Sequence, residues 1–303
     1  MHITVAPAST KAGRATIEAL LADSAGPTVT GVYRNLSRVP AQFSPNPNFK
    51  AMQGDVQDGA SLDFSGADAV LAITPPQFHE SDIVADARKM SENMKAAAQK
   101  AGIKRLVLLS SVGAELEKGT GEILTNHAAE QVFEGTAPEV VYVRCAYFME
   151  NWMMSLETVH QEPPFFYTTI TPLDFKVPMI AVKDIGSTLA AQLLATGSAP
   201  PANPHVFELW GPEDYSSLDT QAAFAAAAGR DVEVRPVPKD GLGDFFVQAG
   251  LPPSVAKEWA EMSACFLPGG VIEADVSRTE GVVRGKTTLH EAVKEMYNLP
   301  PPA

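Results

Sequence analysis

The chain has 303 residues and a mass of 32.2 kDa, with 45% hydrophobic and 19% charged residues, which is ordinary for a globular protein with a large core. Its formal net charge of −13 argues against nucleic acid as a partner, because phosphate backbones are bound by clustered cations. Two cysteines are too few for a disulfide framework. No apolar run reaches the ~20 residues of a membrane span, and a strand-like segment begins where a signal peptide would lie. These features predict a cytoplasmic protein with no membrane partner.

Short apolar runs alternate with helical stretches through the first half of the chain. Strands are predicted at Ile3–Ala6, Thr28–Tyr33, Ala69–Ile73, Arg105–Ser110 and Val140–Arg144, and helices at Gly13–Ala22, Ile83–Ala101 and Asn126–Glu134. Strands separated by helices indicate βαβ units. The pattern therefore predicts an α/β fold with a doubly wound, Rossmann-like parallel sheet, whose strands all have their carboxyl ends at one edge.

The second half of the chain is richer in proline and aromatic residues. It contains predicted strands at Val206–Leu209 and Val232–Val237, and predicted helices at Ile185–Ala195, with Asp184 as N-cap, and at Asp219–Ala228. We expect a first domain over residues 1–150. Residues 151–303 are expected to form a smaller α/β lobe, interwoven with the last strands of the sheet.

The turn after the first strand, residues 7–13, has the position of a phosphate-binding loop. Strand, turn and helix in this order place a helix N-terminus where it can bind a phosphate. Of the three glycines of the usual dinucleotide fingerprint only Gly13 is present. Pro7 lacks an N–H, and Thr10 is β-branched. Ser9, Thr10 and Lys11 offer hydroxyl and ammonium donors instead. Two interpretations remain, a remodelled phosphate site and a degenerate turn that no longer binds a dinucleotide.

Two arginines follow the second predicted strand. An acidic residue at this place selects NAD through the ribose hydroxyls, whereas an arginine accommodates the 2′-phosphate of NADP. Arg34 ends the strand, Arg38 lies four residues on, and no carboxylate follows until Asp55. The pattern favours NADP(H) as cofactor, if one binds. The alternative is a pair of solvated arginines on a loop.

Five further segments resemble the NmrA-like family of atypical short-chain dehydrogenases, a resemblance that extends over the whole chain: residues 106–114, 126–130, 143–151, 178–186 and 207–213. It implies a dinucleotide-binding first domain and a substrate-binding second lobe. It also implies that Asp55, after a presumed third strand, lies against the adenine, that Thr74 and Pro75 form an apolar shelf beneath the adenosine, and that Ser110 binds near the nicotinamide.

The catalytic residues of typical short-chain dehydrogenases are missing. These enzymes use a tyrosine with a lysine four residues later, and no tyrosine of this chain has lysine at that offset. Many NmrA-like relatives carry Lys or His four residues before the position of Glu130, where this chain has Asn126. An asparagine can orient a carbonyl but cannot transfer a proton near neutral pH. Asn126, Ser111 and Tyr147 are the candidate catalytic residues, and Tyr147 is the best-placed phenol.

An aromatic substrate wall is predicted from four residues: Phe148, Trp152, Phe165 and Phe166. The same residues would equally suit a hydrophobic core.

The favoured function is that of an NADPH-dependent reductase of a hydrophobic aromatic, quinone or enone-type carbonyl. The resemblance extends this expectation to secondary metabolism. Two alternatives remain: a non-catalytic regulator that senses NADP, and a redox-neutral isomerase, dehydratase or cyclase that has lost the cofactor. A small hydrophobic molecule is the expected partner. A helix pair at the sheet edge could form a homodimer, although nothing in the sequence requires one.

Overall fold

The computed structural model describes residues 1–79, 81–195, 202–272 and 281–299. In chain order the strands are β1 His2–Ala6, β2 Thr28–Tyr33, β3 Phe49–Gln53, β4 Ala69–Ile73, β5 Arg105–Ser111, β6 Glu139–Cys145, β7 Tyr147–Phe148, β8 Phe165–Thr168, β9 Val177–Ile180, β10 His205–Trp210, β11 Asp214–Tyr215, β12 Glu233–Pro236 and β13 Val282–Arg284. The α-helices are α1 Lys11–Ala22, α2 Ile83–Ala101, α3 Leu124–Phe133, α4 Leu156–Val159, α5 Val182–Leu194, α6 Ser217–Ala228, α7 Leu242–Gln248, α8 Pro253–Cys265 and α9 Leu289–Tyr297.

Eight strands form one central sheet in the order β13-β10-β6-β5-β4-β1-β2-β3, and every neighbouring pair is parallel. The predicted doubly wound α/β fold is confirmed. Residues of β1, β4 and β5 are almost all buried, as expected of strands covered by helices on both faces. Because all eight strands run the same way, their carboxyl ends lie along one edge, which is where ligands bind in such sheets.

The first half of the sheet follows the sequence pattern closely, apart from β3. The five strands and three helices predicted there occur within about two residues of their expected bounds. The sequence of β3, FKAMQ, has no continuous apolar run, and its residues are only partly buried because β3 is an edge strand. An edge strand has one unpaired side and a weaker apolar pattern.

The second half of the chain contributes both to the central sheet and to a separate layer. Strands β10 and β13 extend the central sheet beyond β6. The rest forms a three-stranded sheet, β11-β9-β7, and a two-stranded sheet, β12-β8. Helices α6 and α9 pack with these strands around a core that includes Met149, Phe166, Met179 and Phe224, each with no accessible surface.

The prediction for the start of α5 was wrong. The helix begins at Val182 with Ala181 as N-cap, so Asp184 lies in its first turn. The Asp184 carboxylate instead accepts hydrogen bonds from the backbone N–H groups of Lys286 and Thr287, both at 2.7 Å, and from the Thr287 hydroxyl at 3.0 Å. A side chain that binds a distant loop cannot be distinguished from an N-cap by its position in the sequence.

Helix α1 is held firmly by α5. A Cβ atom on Gly186 would lie 2.5 Å from the carbonyl carbon of Ala15, so only glycine allows the two helices to approach this closely. This contact fixes the helix whose N-terminus forms the first part of the candidate site.

Candidate functional site

The N-terminus of α1 presents free backbone donors at the carboxyl edge of the sheet. Thr10 is the N-cap, and its Oγ1 accepts a hydrogen bond from the Gly13 N–H at 2.9 Å. The N–H groups of Lys11 and Ala12 have no acceptor among the described residues. Free N–H groups at the positive end of a helix form an anion site. The turn thus keeps the main feature of a phosphate loop without the first two glycines.

Gly13 is required by the turn itself. A Cβ atom at this position would lie 2.8 Å from the Pro7 carbonyl oxygen and 2.8 Å from Thr10 Oγ1. The Thr10 side chain therefore occupies the space that a larger residue 13 would need.

The exposed Ser9 side chain has no hydrogen-bond partner in the described parts of the chain.

Lys11 connects the turn to the 3-10 segment Met149–Ser155. Its Nζ donates to the Glu150 carbonyl oxygen at 3.0 Å, and Glu150 Oε2 accepts the Val182 N–H at 2.9 Å. Desolvation of the ammonium group lowers the Lys11 pKa, while the Glu150 carboxylate raises it. The predicted phosphate ligand thus also links the turn, through the segment that contains Glu150, to the start of α5.

Arg34 and Arg38 lie at the carboxyl end of β2, beside this turn. The Ala8 N–H donates to the Val32 carbonyl oxygen at 2.8 Å, which joins the turn to the end of β2. Both arginines are exposed, and neither has an ion pair or a hydrogen-bond acceptor among residues 1–79, 81–195, 202–272 and 281–299. Two unneutralised guanidinium groups next to a helix N-terminus suit a phosphorylated ligand.

The loops after β3 and β4, which also lie at the carboxyl edge of the sheet, are joined to each other by hydrogen bonds. Asp55 Oδ1 accepts the Gln57 N–H at 3.0 Å, and Gln57 Nε2 donates to Gln77 Oε1 at 2.9 Å. Gln77 in turn donates to the Pro75 carbonyl oxygen at 2.9 Å. Thr74 Oγ1 is buried without a partner among the described residues, so it is free to bind a ligand. The structure therefore brings together Asp55, Thr74 and Pro75, three of the predicted cofactor residues.

Ser110 is bound to a buried charge network. Its Oγ donates to Glu130 Oε1 at 2.5 Å. Arg144 binds both oxygens of Glu130, at 3.0 and 2.7 Å, and binds Glu115 at 2.8 Å. The Tyr142 hydroxyl donates to the Glu130 carbonyl oxygen at 2.7 Å. The Ser110 hydroxyl is thus engaged with Glu130, and its role as a direct cofactor ligand stays a prediction.

The three candidate catalytic side chains are all partly buried. Ser111 Oγ donates to the Val112 carbonyl oxygen at 3.1 Å, and Asn126 Nδ2 lies 3.5 Å from Thr125 Oγ1. Tyr147 bonds Asn151, and burial raises the pKa of its phenol, which makes it a weaker acid. Among these three, none is a proton donor matched to neutral pH.

Sequence reasoning missed Glu122, in the 3-10 turn Gly121–Ile123 that leads into α3. Burial raises the pKa of its carboxyl to about 7, although a hydrogen bond from Thr125 acts in the opposite direction and lowers the pKa. A carboxyl with such a pKa is suited to acid–base chemistry near neutral pH. The available signal was an acidic residue directly before the apolar pair Ile123-Leu124 and four residues before Asn126.

A continuous row of aromatic rings runs from the loop after β4 through α8 and α7 to β8. We call it the aromatic row; it consists of Phe78, Trp259, Phe246, Phe245, Tyr167 and Phe165. Successive ring centroids lie 5.5–5.9 Å apart. Phe78 and Tyr167 are exposed, and Trp259 Nε1 is buried without an acceptor in the described segments. The Phe245-Phe246 pair was the sequence signal for this row.

The predicted aromatic wall is divided by the structure. Phe165 belongs to the aromatic row and has the Arg235 guanidinium 3.7 Å from its ring centroid. Phe166 has no accessible surface and contacts Trp152, itself 4% exposed, at 5.6 Å between centroids. These two residues form core, which corrects their assignment to a ligand-facing wall. Phe148 is partly buried against the main core.

Within the described residues, no helix is both long and apolar enough to cross a bilayer. The same residues contain no group of three or more His, Cys, Asp or Glu side chains arranged to hold a metal ion.

Comparison with known proteins agrees with this geometry. Residues 8–196, more than half of the chain, match a protein family described as NAD(P)H-binding. An NAD(P)H azoreductase of Xenophilus azovorans is 26% identical over 220 residues, which is 71% of each chain. A nicotinamide dinucleotide is therefore confirmed as the cofactor class.

Solved structures share the fold at low sequence identity. The NADPH-dependent quinone oxidoreductase of Escherichia coli, in complex with NADPH, superposes with a TM-score of 0.76 at 20% identity, covering 98% of this chain and 100% of that one. Triphenylmethane reductase of Citrobacter sp. gives 0.73 at 19% identity, covering 99% and 100%. NmrA, a negative transcriptional regulator, gives 0.68 at 17% identity, covering 98% and 95%.

Proposed function

Since the chain belongs to the NAD(P)H-binding family, with an NmrA-like atypical short-chain dehydrogenase fold, we propose that it is an NADPH-dependent reductase. Its acceptor is a hydrophobic aromatic molecule with a quinone or enone-type carbonyl. Residues 1–150 bind the cofactor, and residues 151–303 contribute most of the substrate site.

The free cations at the carboxyl end of β2 carry this proposal. Arg34 and Arg38 have no partner in the described residues, and the hydrogen bond from Ala8 to Val32 places them beside the α1 N-terminus. The N–H groups of Lys11 and Ala12 would bind the pyrophosphate, and the two guanidinium groups would bind the 2′-phosphate. This arrangement supports NADPH over NADH.

The aromatic row supports a planar hydrophobic acceptor. It begins at Phe78, five residues after the end of β4, and so extends from the cofactor edge into the second lobe. Flat rings stack on exposed aromatic faces. The buried N–H of Trp259 would donate to a carbonyl oxygen of the substrate. This hydrogen bond would give the N–H the acceptor that it lacks among the described residues.

Bound NADPH supplies a hydride. The chain's own groups orient the reactants: α1, Arg34 and Arg38 hold the phosphates, and Thr74 Oγ1 offers a donor on the adenosine side. The Glu130–Arg144 pair fixes Ser110 and, with it, the backbone at the end of β5.

Calorimetric titration with NADPH, NADH and NADP⁺ tests the proposal. We expect NADPH to bind more tightly than NADH, because only NADPH carries the 2′-phosphate. Arg34→Ala should weaken NADPH binding about 10–100-fold, as expected for loss of a charge-assisted contact of ~1.5–3 kcal/mol, and should leave NADH binding unchanged.

Arg88→Ala is the matched control, since Arg88 lies on α2, where it binds Gln131, and should leave NADPH affinity unaltered. Equal loss of NADH and NADPH affinity in Arg34→Ala would contradict the assignment of the 2′-phosphate to this arginine.

The amide at Asn126 favours a second candidate, a regulator that binds NADPH without turnover. NADPH binding without oxidation by any quinone in a screen would favour it. No binding even at millimolar cofactor would instead favour a redox-neutral tailoring enzyme.

A further inference from the structure

Glu122 lies at the same edge of the sheet as the candidate catalytic residues. Its 3-10 turn leads directly into α3, and α3 follows β5, whose carboxyl end carries Ser110 and Ser111. Residues four apart in a helical segment share one face, so Glu122 precedes Asn126 by one turn on the same side.

Desolvation outweighs the hydrogen bond from Thr125 in the surroundings of Glu122. Helix α8 packs against its turn so closely that a Cβ atom on Gly121 would lie 2.0 Å from the Glu258 carbonyl oxygen. No cation within the described residues forms an ion pair with Glu122. The charged and titratable groups of the elements around it are Lys257, Glu258 and Glu261 on α8, His127 and Glu130 on α3, and Glu115, Glu117 and Lys118 in the preceding loop.

Several of these groups are already engaged. His127 Nδ1 lies 2.8 Å from the Ala114 carbonyl oxygen, and Glu115 and Glu130 both pair with Arg144. Burial also raises the pKa of Glu258, with a further contribution from Glu261. The environment therefore favours the neutral, proton-carrying form of Glu122.

A hydroxyl joins Glu122 to Asn126. Thr125 Oγ1 donates to Glu122 Oε1 at 3.4 Å and accepts from Asn126 Nδ2 at 3.5 Å. These long contacts orient one carboxyl oxygen and leave Oε2 available to carry a proton.

We propose that Glu122 is the proton donor of this site, positioned by Thr125 and Asn126. The proposal rests on the reductase function above and supplies the acid that the tyrosine position lacks.

The step balances for a quinone acceptor. Hydride addition reduces the quinone and leaves an oxyanion, while NADPH is oxidised to NADP⁺. The O–H bond of the Glu122 carboxyl then breaks, its proton forms a new O–H bond on the oxyanion, and a hydroquinone leaves. The carboxylate regains one proton from water.

Glu122→Gln tests the proposal because glutamine keeps the shape of the neutral carboxyl without an acidic proton. General acids contribute about 10²–10⁴-fold to rate, so we expect kcat with a quinone at about pH 6 to fall at least ~10-fold, with NADPH affinity retained. Wild-type kcat should decline as pH rises through about 7, whereas the variant should show no such decline. Glu117→Gln, an exposed glutamate of the preceding loop, is the control and should match wild type.

A second measurement needs no turnover. The native state holds the Glu122 proton up to about pH 7, whereas the unfolded chain releases it near 4.5. Wild-type unfolding temperature should therefore fall as pH rises through this window. Glu122→Gln should remove that part of the fall, and Glu117→Gln should keep it.

Activity of Glu122→Gln equal to that of Glu117→Gln would overturn the proposal. So would a wild-type kcat that stays flat between about pH 6 and 8, a result that does not depend on the folding of any variant. Absence of NADPH binding or quinone reduction in wild type would instead overturn the reductase function on which the proposal rests.

Discussion

Replacement of Arg144 by methionine is expected to lower the free energy of unfolding by about 3–5 kcal/mol. Arg144 binds both oxygens of Glu130 and one of Glu115, and the Arg144 and Glu130 side chains are only 15% and 10% exposed. Methionine fills similar space but leaves the Glu130 charge buried without its cation. Urea denaturation monitored by circular dichroism measures the loss.

The ion pair between Arg14 and Glu18 provides the control. Those side chains are 53% and 47% exposed, and an exposed pair contributes at most ~1 kcal/mol because water screens it. Arg14→Met should therefore change stability little. Equal losses of unfolding free energy in Arg144→Met and Arg14→Met would contradict the inference that burial of the Glu130 charge makes the loss of Arg144 costly. Adding Glu130→Gln to Arg144→Met should recover part of the loss, because it removes the unpaired charge.

Gly121→Ala is expected to destabilise the protein by about 2–4 kcal/mol. Gly121 has φ +55°, where an L-residue pays about 1 kcal/mol or more, and the added Cβ would meet the Glu258 carbonyl oxygen at 2.0 Å and the Met262 nitrogen at 2.6 Å. Relief of such an overlap costs about 1–3 kcal/mol. Thermal unfolding measures the sum.

Gly135→Ala separates the two contributions. Gly135 has φ +66°, and a Cβ atom there would have nothing within 4 Å, so only the backbone cost applies. If Gly121→Ala lost no more stability than Gly135→Ala, the close packing of α8 on the 3-10 turn would be contradicted.

Local patterns were sufficient for the buried strands in the middle of the central sheet. The apolar runs of β1, β4 and β5 are buried on both faces, so their sequences are continuously apolar, and the helices between them force parallel pairing. The sequence pattern did not give the bounds of the edge strand β3 or of the two-residue strands β7 and β11. Short or half-exposed strands bury few apolar side chains, so they leave no clear apolar pattern in the sequence.

The candidate site was less accessible to sequence reasoning. Arg34 and Arg38 could be inferred because a strand end has a known place in a βαβ unit. Phe165 and Phe166 are adjacent, yet one lies in the aromatic row and the other in the core. Alternation along a strand separates them, but only the tertiary structure shows which face is covered.

The sequence by itself determined the parallel α/β sheet, the helix N-terminus after β1 and the cations after β2, since each depends on residues close together in the chain. Only the tertiary structure decided that Ser110 donates to Glu130, that Lys11 donates to the Glu150 carbonyl oxygen, and that burial raises the pKa of the Glu122 carboxyl to about 7. Hydrogen-bond partners and desolvation are set by groups that are distant in sequence, such as α8 against the turn at Gly121. That long-range packing raises the pKa of the Glu122 carboxyl into the range in which the proposed proton transfer can take place.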